Sequence, residues 1–280
     1  MTTIIKRASA LLLLIFALSA SAQNGPFEVT VEGNGQPILF FPGFASTGEV
    51  WDATVAKLSQ NYECHIFTFA GFGGVAPVEK PWLPKIKKGI EDYVREQKLE
   101  NPMIIGHSLG GSLALWLASE ENHPYSKLIL VDALASTGAL MIPDFKSENM
   151  VYDNPYSQQM LAMNDEEFQK TVTQMASGMT LNEEKRADII RDMLQADRET
   201  FVHGYTDLLK LDLREDVARI EIPVTILAAT HPYGKEMVEK TITEQFKNLE
   251  DYKVEYAENS AHFIMYDRPE WLLEAIKTHL

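Results

Sequence analysis

Two segments of this chain, PMIIGHS at 102–108 and KLILVDA at 127–133, are apolar almost without interruption. A strand with one wet face alternates apolar and polar residues; one that is apolar at successive positions is covered on both faces. The chain also supplies the covers. GEVWDATVAKLSQ (48–60) reads as a helix, Ile86, Ile90, Tyr93 and Val94 recur at helical spacing, and an apolar helix runs to about Ser119. FEVTVEG (27–33), PILFFPG (37–43) and CHIFTFAG (64–71) add strands, the first two separated by a Gly-Asn-Gly turn. The alternation predicts an α/β fold: a mostly parallel central sheet with helices on both faces.

Residues 134–218 break that alternation. Phe168, Val172, Met175, Ala176 and Met179 share one helical face, with Asn164 as N-cap and Glu167 three residues on. Ile189, Ile190, Met193 and Leu194 make a second face, and Phe201, Val202, Tyr205, Leu208 and Leu209 a third. No strand-like run interrupts them, so an all-helical insertion is expected. It holds seven of the eleven methionines, which serve either plain core packing or a flexible apolar pocket. Strands resume with IPVTILAA (222–229) and KVEYAE (253–258), a helix lies near 234–247, and a last helix starts at Pro269. The expected division is a core of 23–133 and 219–280, and an insertion of 134–218.

The first residues, MTTIIKRASALLLLIFALSASAQ, carry a basic pair (Lys6, Arg7), a short apolar stretch and a small-residue Ala20-Ser21-Ala22 site. This predicts a signal peptide over 1–22 and an exported protein, periplasmic or secreted, with no membrane span once the peptide is removed. Its removal would leave about 258 residues and take the formal charge from −15 to −17. So acidic a body repels nucleic acid and anionic membrane surface, leaving a small molecule as the expected partner. Cys64 is the single cysteine, so no intramolecular disulfide can form, and its apolar surroundings predict a buried, inert thiol. CxxC, HExxH and Asp-rich loop patterns are missing from the sequence, and no metal or cofactor is implied. Oligomeric state is not legible.

IIGHSLGG (104–111) carries the chemistry. Gly106-His107-Ser108-Leu109-Gly110 fits G-x-S-x-G, preceded by a strand and followed by a helix. The glycines permit a sharp turn that lifts the serine hydroxyl clear of the sheet, at a helix N-terminus that favours a developing oxyanion. NSAHF (259–263) places His262 just after the final strand, where a general base follows its nucleophile in chain order.

With these motifs in place, nearly the whole mature chain resembles the α/β-hydrolase family, of the serine hydrolase or esterase type with a helical cap. FFPGFASTGEVWD (40–52) is similar to that family's oxyanion loop, FAGFGG (69–74) to its glycine-rich turn, and 134–218 to its cap. The resemblance implies an oxyanion hole made by the backbone N–H groups of Phe44 and Leu109. It also implies an acid late in the chain, yet the turn LAATHPYGKE (227–236) offers none before Glu236. Asp132, at the end of KLILVDA, would emerge on the same sheet edge as Ser108 and His262, as the acid does in some members. Asp132 as acid, Glu236 or a cap residue in its place, and a Ser–His dyad all stay open. The expected activity is cleavage of a small or medium carboxylic ester, with an apolar acyl or aromatic part, through an acyl-enzyme. A ligand-binding sensor with slow turnover, a lyase and a cofactor-free perhydrolase are the alternatives.

Overall fold

The computed structural model describes residues 25–280; the expected signal segment, 1–22, lies outside them. Seven strands form one sheet: β1 Phe27–Gly33, β2 Gln36–Phe41, β3 Tyr62–Phe69, β4 Met103–His107, β5 Lys127–Val131, β6 Val224–Ala229 and β7 Tyr252–Ala257. Their order is β1-β3-β2-β4-β5-β6-β7, with β1 antiparallel to β3 and every other pairing parallel. The turn after β1 therefore joins strands that are not neighbours, because β3 lies between them. The continuous apolar runs are explained: Ile38–Phe41, Ile104, Ile105 and Leu128–Val131 are all buried.

Helices cover the sheet. In the first half these are α1 Asp52–Leu58, α2 Trp82–Glu96 and α3 Leu109–Ala118. The α2 helix turns Trp82, Leu83, Ile86, Ile90 and Val94 inward, whereas α3 is buried along nearly its whole length and so shows no amphipathic stripe. Between β5 and β6 the described residues form no strand. They form α4 Thr137–Met141, α5 Pro155–Ala162, α6 Asp165–Ala176, α7 Glu183–Gln195 and α8 Arg198–Lys210. The capping box at Asn164 and Glu167 is present in both directions, each bond 3.0 Å. One residue departs from the expected faces: Leu194 is exposed, while Asp192 is buried on the inner side of α7 beside Ile189 and Met193. Three helices complete the fold: α9 Lys235–Gln245, α10 Ile264–Asp267 and α11 Pro269–His279.

The register decides where the site can be. Phe41 of β2 pairs with Gly106 of β4, His107 with Val131 of β5, and Val131 with Leu227 of β6. Parallel strands in this register end together, so the residues that follow them, Ser108 and Asp132 among them, emerge on one edge. Cys64 is buried in β3, and burial together with Glu32 pushes its thiol up to about 12. It stays a thiol at any physiological pH.

Candidate active site

The chain runs from β4 into Ser108 and turns there into α3. Ser108 has φ 51 and ψ −119, a combination that L-residues rarely adopt. A Cβ on Gly106 would stand 2.4 Å from the Gly110 carbonyl oxygen, and one on Gly110 would stand 2.5 Å from that of Phe41. Both positions therefore need glycine for close approach. The Ser108 N–H donates to the Val131 carbonyl at 2.9 Å, and its own carbonyl accepts from Gly111 and Ser112. The strained turn is thus pinned to β5 on one side and to its own helix on the other.

Asp132 follows β5 directly and also has a positive φ, 47°. Its N–H donates to the Leu227 carbonyl at 2.8 Å, and Oδ1 accepts from the Ala229 N–H at 2.9 Å. Oδ2 is left for His262, whose Nδ1 lies 2.6 Å away. An ionised carboxylate only accepts, so Nδ1 carries the proton and Nε2 the lone pair. The two side chains are 24% and 32% exposed, so the pair is open on one side rather than sealed in the core. Positive φ values recur around the site, at Ala45 in the loop after β2 and Asn259 in the loop after β7. Strain of this kind collects where a side chain must be aimed.

Glu236 stands apart, exposed in the first turn of α9. His231 is exposed as well, and its backbone N–H supports the histidine loop by donating to the Ser260 carbonyl at 2.9 Å. Ser108 Oγ and His262 Nε2 share no hydrogen bond among the described residues, a contact that commonly tightens only when substrate is bound.

Leu109 is the first residue of α3, so its N–H has no intrahelical acceptor. Neither it nor the Phe44 N–H has a partner among the described residues. Phe44 is held by its ring, which packs on Phe72, Phe201 and Tyr205 with centroids 5.2, 5.4 and 5.5 Å away. Phe201 and Tyr205 belong to α8, so the loop after β2 leans on the helical segment. Among the described residues no cluster of three or more His, Cys, Asp or Glu could hold a metal ion, and no helix is long and apolar enough to cross a membrane. Two surface clefts, of about 330 and 480 Å3, are lined by none of Ser108, Asp132 and His262.

His107 is the residue whose part the sequence does not reveal. It is fully buried, and its Nε2 donates to the His262 carbonyl at 3.0 Å. A carbonyl only accepts, so Nδ1 is the lone-pair nitrogen; it is buried without a partner. It faces Gly43, where a Cβ would stand 2.7 Å away. Burial first, and the nearby His262 second, hold His107 well below the ordinary imidazole value. A histidine at the variable position of an elbow offers no local signal of this, because its partner lies on another loop.

A comparison with known families agrees with this geometry. Residues 38–275 match the model of the alpha/beta hydrolase family. The chain belongs to that family. Among curated relatives of this alpha/beta hydrolase is the pimeloyl-[acyl-carrier protein] methyl ester esterase of Vibrio cholerae, 23% identical over 206 residues, covering 69% of this chain and 75% of the relative. An AB hydrolase superfamily protein of Bacillus subtilis, YisY, is 25% identical over 211 residues, covering 70% and 74%. The enol-lactonase from Burkholderia xenovorans LB400 superposes with a TM-score of 0.75 at 14% identity, over 90% of this chain and 95% of that one. An esterase from Exiguobacterium antarcticum gives 0.74 at 16%, over 90% and 94%. At such identities the solved structures speak for the fold alone.

Proposed function

We propose that this chain is an exported serine hydrolase that cleaves a small or medium carboxylic ester through an acyl-enzyme. The observation that carries the reading is the 2.6 Å hydrogen bond between His262 Nδ1 and Asp132 Oδ2, on the sheet edge where the Ser108 turn emerges. In the proposed reaction Ser108 Oγ attacks the ester carbonyl carbon while His262 Nε2 takes its proton. Asp132 holds the ring in the tautomer that leaves Nε2 free, then stabilises the imidazolium. The carbonyl oxygen becomes an oxyanion bound by the N–H groups of Phe44 and Leu109. Collapse breaks the bond to the alcohol, which leaves with the proton from His262. Water repeats the sequence on the acyl-enzyme and releases the acid.

Family membership and relatives named as esterases support ester hydrolysis. The aromatic packing of Phe44 against Phe201 and Tyr205 supports an apolar acyl or aromatic group on the substrate. The helical segment 134–218 acts in this reading as a cap over the site, and the leader residues 1–22 support export. The test is a chain-length panel of p-nitrophenyl esters on the mature protein, with fluorophosphonate labelling beside it. Steady-state turnover together with labelling is expected; labelling with a single slow event and no turnover would sink the esterase reading.

A further inference from the structure

The loop that carries His262 is fastened at each peptide around it. The Ser260 carbonyl accepts from His231 N, Ala261 N donates to Asp267 Oδ2 at 2.7 Å, and the His262 carbonyl accepts from His107. Phe263 N donates to the Met179 carbonyl at 2.9 Å, so the fastening reaches into the helical segment between β5 and β6. Asp267 reaches it too, and more firmly. Its Oδ1 accepts from Thr180 Oγ1 at 2.5 Å, Leu181 N at 2.9 Å and Asn182 N at 3.2 Å. Thr180 and Ala261 are both buried, and Asn182 in turn caps α7 by accepting from Glu184 and Lys185. One carboxylate thus satisfies four donors, three on the turn before α7 and one on the residue before His262.

Asp267 does not touch the imidazole, whose Nδ1 is already taken by Asp132. Its influence runs through the backbone. Because Ala261 N and the 180–182 donors share one carboxyl group, a shift of the turn must either move the base loop or break one of these charge-assisted hydrogen bonds, two of whose donors, Thr180 and Ala261, are buried. We propose that Asp267 is a positioning residue for His262, and that it couples the base loop to the 180–182 turn so that the two move as one body. The coupling links the helical segment between β5 and β6 with the ring that takes the proton. The proposal rests on His262 being the base.

Asp267→Asn separates the two arms. The amide keeps an oxygen for the three donors of the turn and presents an N–H to the Ala261 N–H, so one arm is lost at constant shape. Expected is a fall in kcat of about 10- to 100-fold with KM changed less than about twofold, as for a misplaced catalytic group. Thr180→Val removes the hydroxyl of the other arm at nearly constant volume and should lower kcat in the same direction. The double variant should lose less than the product of the two single effects. An Asp267→Asn protein with a lower melting temperature but unchanged kcat and KM would reduce Asp267 to a fold anchor, and independent, multiplicative effects would remove the coupling. If Asp267→Asn does not fold, Thr180→Val alone decides, and an unchanged kcat there overturns the proposal. A reading free of turnover is the low-field proton resonance of His262 Nδ1–H, expected to shift or broaden in both variants. A wild-type protein that cleaves no ester would overturn the function above, whereas an unmoved resonance would overturn this proposal by itself.

Discussion

His107 donates from Nε2 to the carbonyl oxygen of His262, joining the end of β4 to the loop after β7, 155 residues away. The bond itself would survive protonation; what keeps the ring neutral is full burial, with no acceptor for an added Nδ1 proton, and the nearby His262, which together lower its proton affinity. An unfolded chain takes up a proton on such a ring near pH 6.5, about the ordinary imidazole value. The folded protein refuses it there. The stability contributed is therefore complete above that pH and lost as pH falls below it, by up to about 1.4 kcal/mol per pH unit. His107→Gln keeps a donor at the same reach and removes the titration, so urea unfolding from pH 7.5 to 5.5 should show a shallower acid loss by about that slope. His65, also lowered by burial, leaves a residual slope. An unchanged slope in the variant would mean that His107 protonates freely within the fold.

Ser108→Ala should abolish fluorophosphonate labelling and lower ester turnover by about 10⁴-fold or more, without unfolding the protein. The serine occupies a strained turn that the flanking glycines and the Val131 carbonyl hold in any case. Labelling that survives, mapped by peptide mass, would put the nucleophile at another residue.

Asp132→Asn should cost about 10³- to 10⁴-fold in rate, because the amide can present a donor to His262 Nδ1 and favour the wrong tautomer. The Ala229 N–H still finds an oxygen, so melting temperature should move little. Glu236→Gln, exposed on α9 and remote from the ring's hydrogen bonds, should cost less than about tenfold, since a first-turn acid acts only on its own helix end. The reverse ranking in a direct comparison of kcat would contradict the assignment of the acid.

Asp207 of α8 caps a helix that is not its own. Its Oδ2 accepts from Trp82 N at 2.7 Å and Leu83 N at 3.0 Å at the start of α2, while Tyr152 donates to Oδ1. Asp207→Ala leaves these buried donors without an acceptor and should lower unfolding free energy by about 2–4 kcal/mol. Urea midpoints at pH 7.5 would check this; a loss below about 0.5 kcal/mol would mean that water or another acceptor replaces the carboxylate.

The α/β fold was legible because its signals are local. A strand covered on both faces has to be apolar at every position, as at Ile104–Ile105 and Leu128–Val131, and a turn packed against backbone has to lack a Cβ, as at Gly106 and Gly110. Chain order then singles out His262, the histidine of the loop after the last strand. The same local reading misjudged Leu194, whose helical spacing matched its neighbours although its side chain is exposed.

What the tertiary structure decided is which groups meet. The strand end of KLILVDA favours Asp132 over Glu236 at the start of a helix, yet nothing in the neighbouring residues shows that its carboxylate reaches a histidine. The parallel register of β4, β5 and β6, and the positive φ at Asp132, aim one carboxylate at His262 and leave the other in solvent. His107 and Asp267 are similar cases, each holding the histidine loop from an element far away or across a turn. Apolar burial and backbone sterics act residue by residue and are written into the sequence as patterns. Hydrogen bonds between distant side chains depend on angles and distances that exist only once the sheet has aligned its edges.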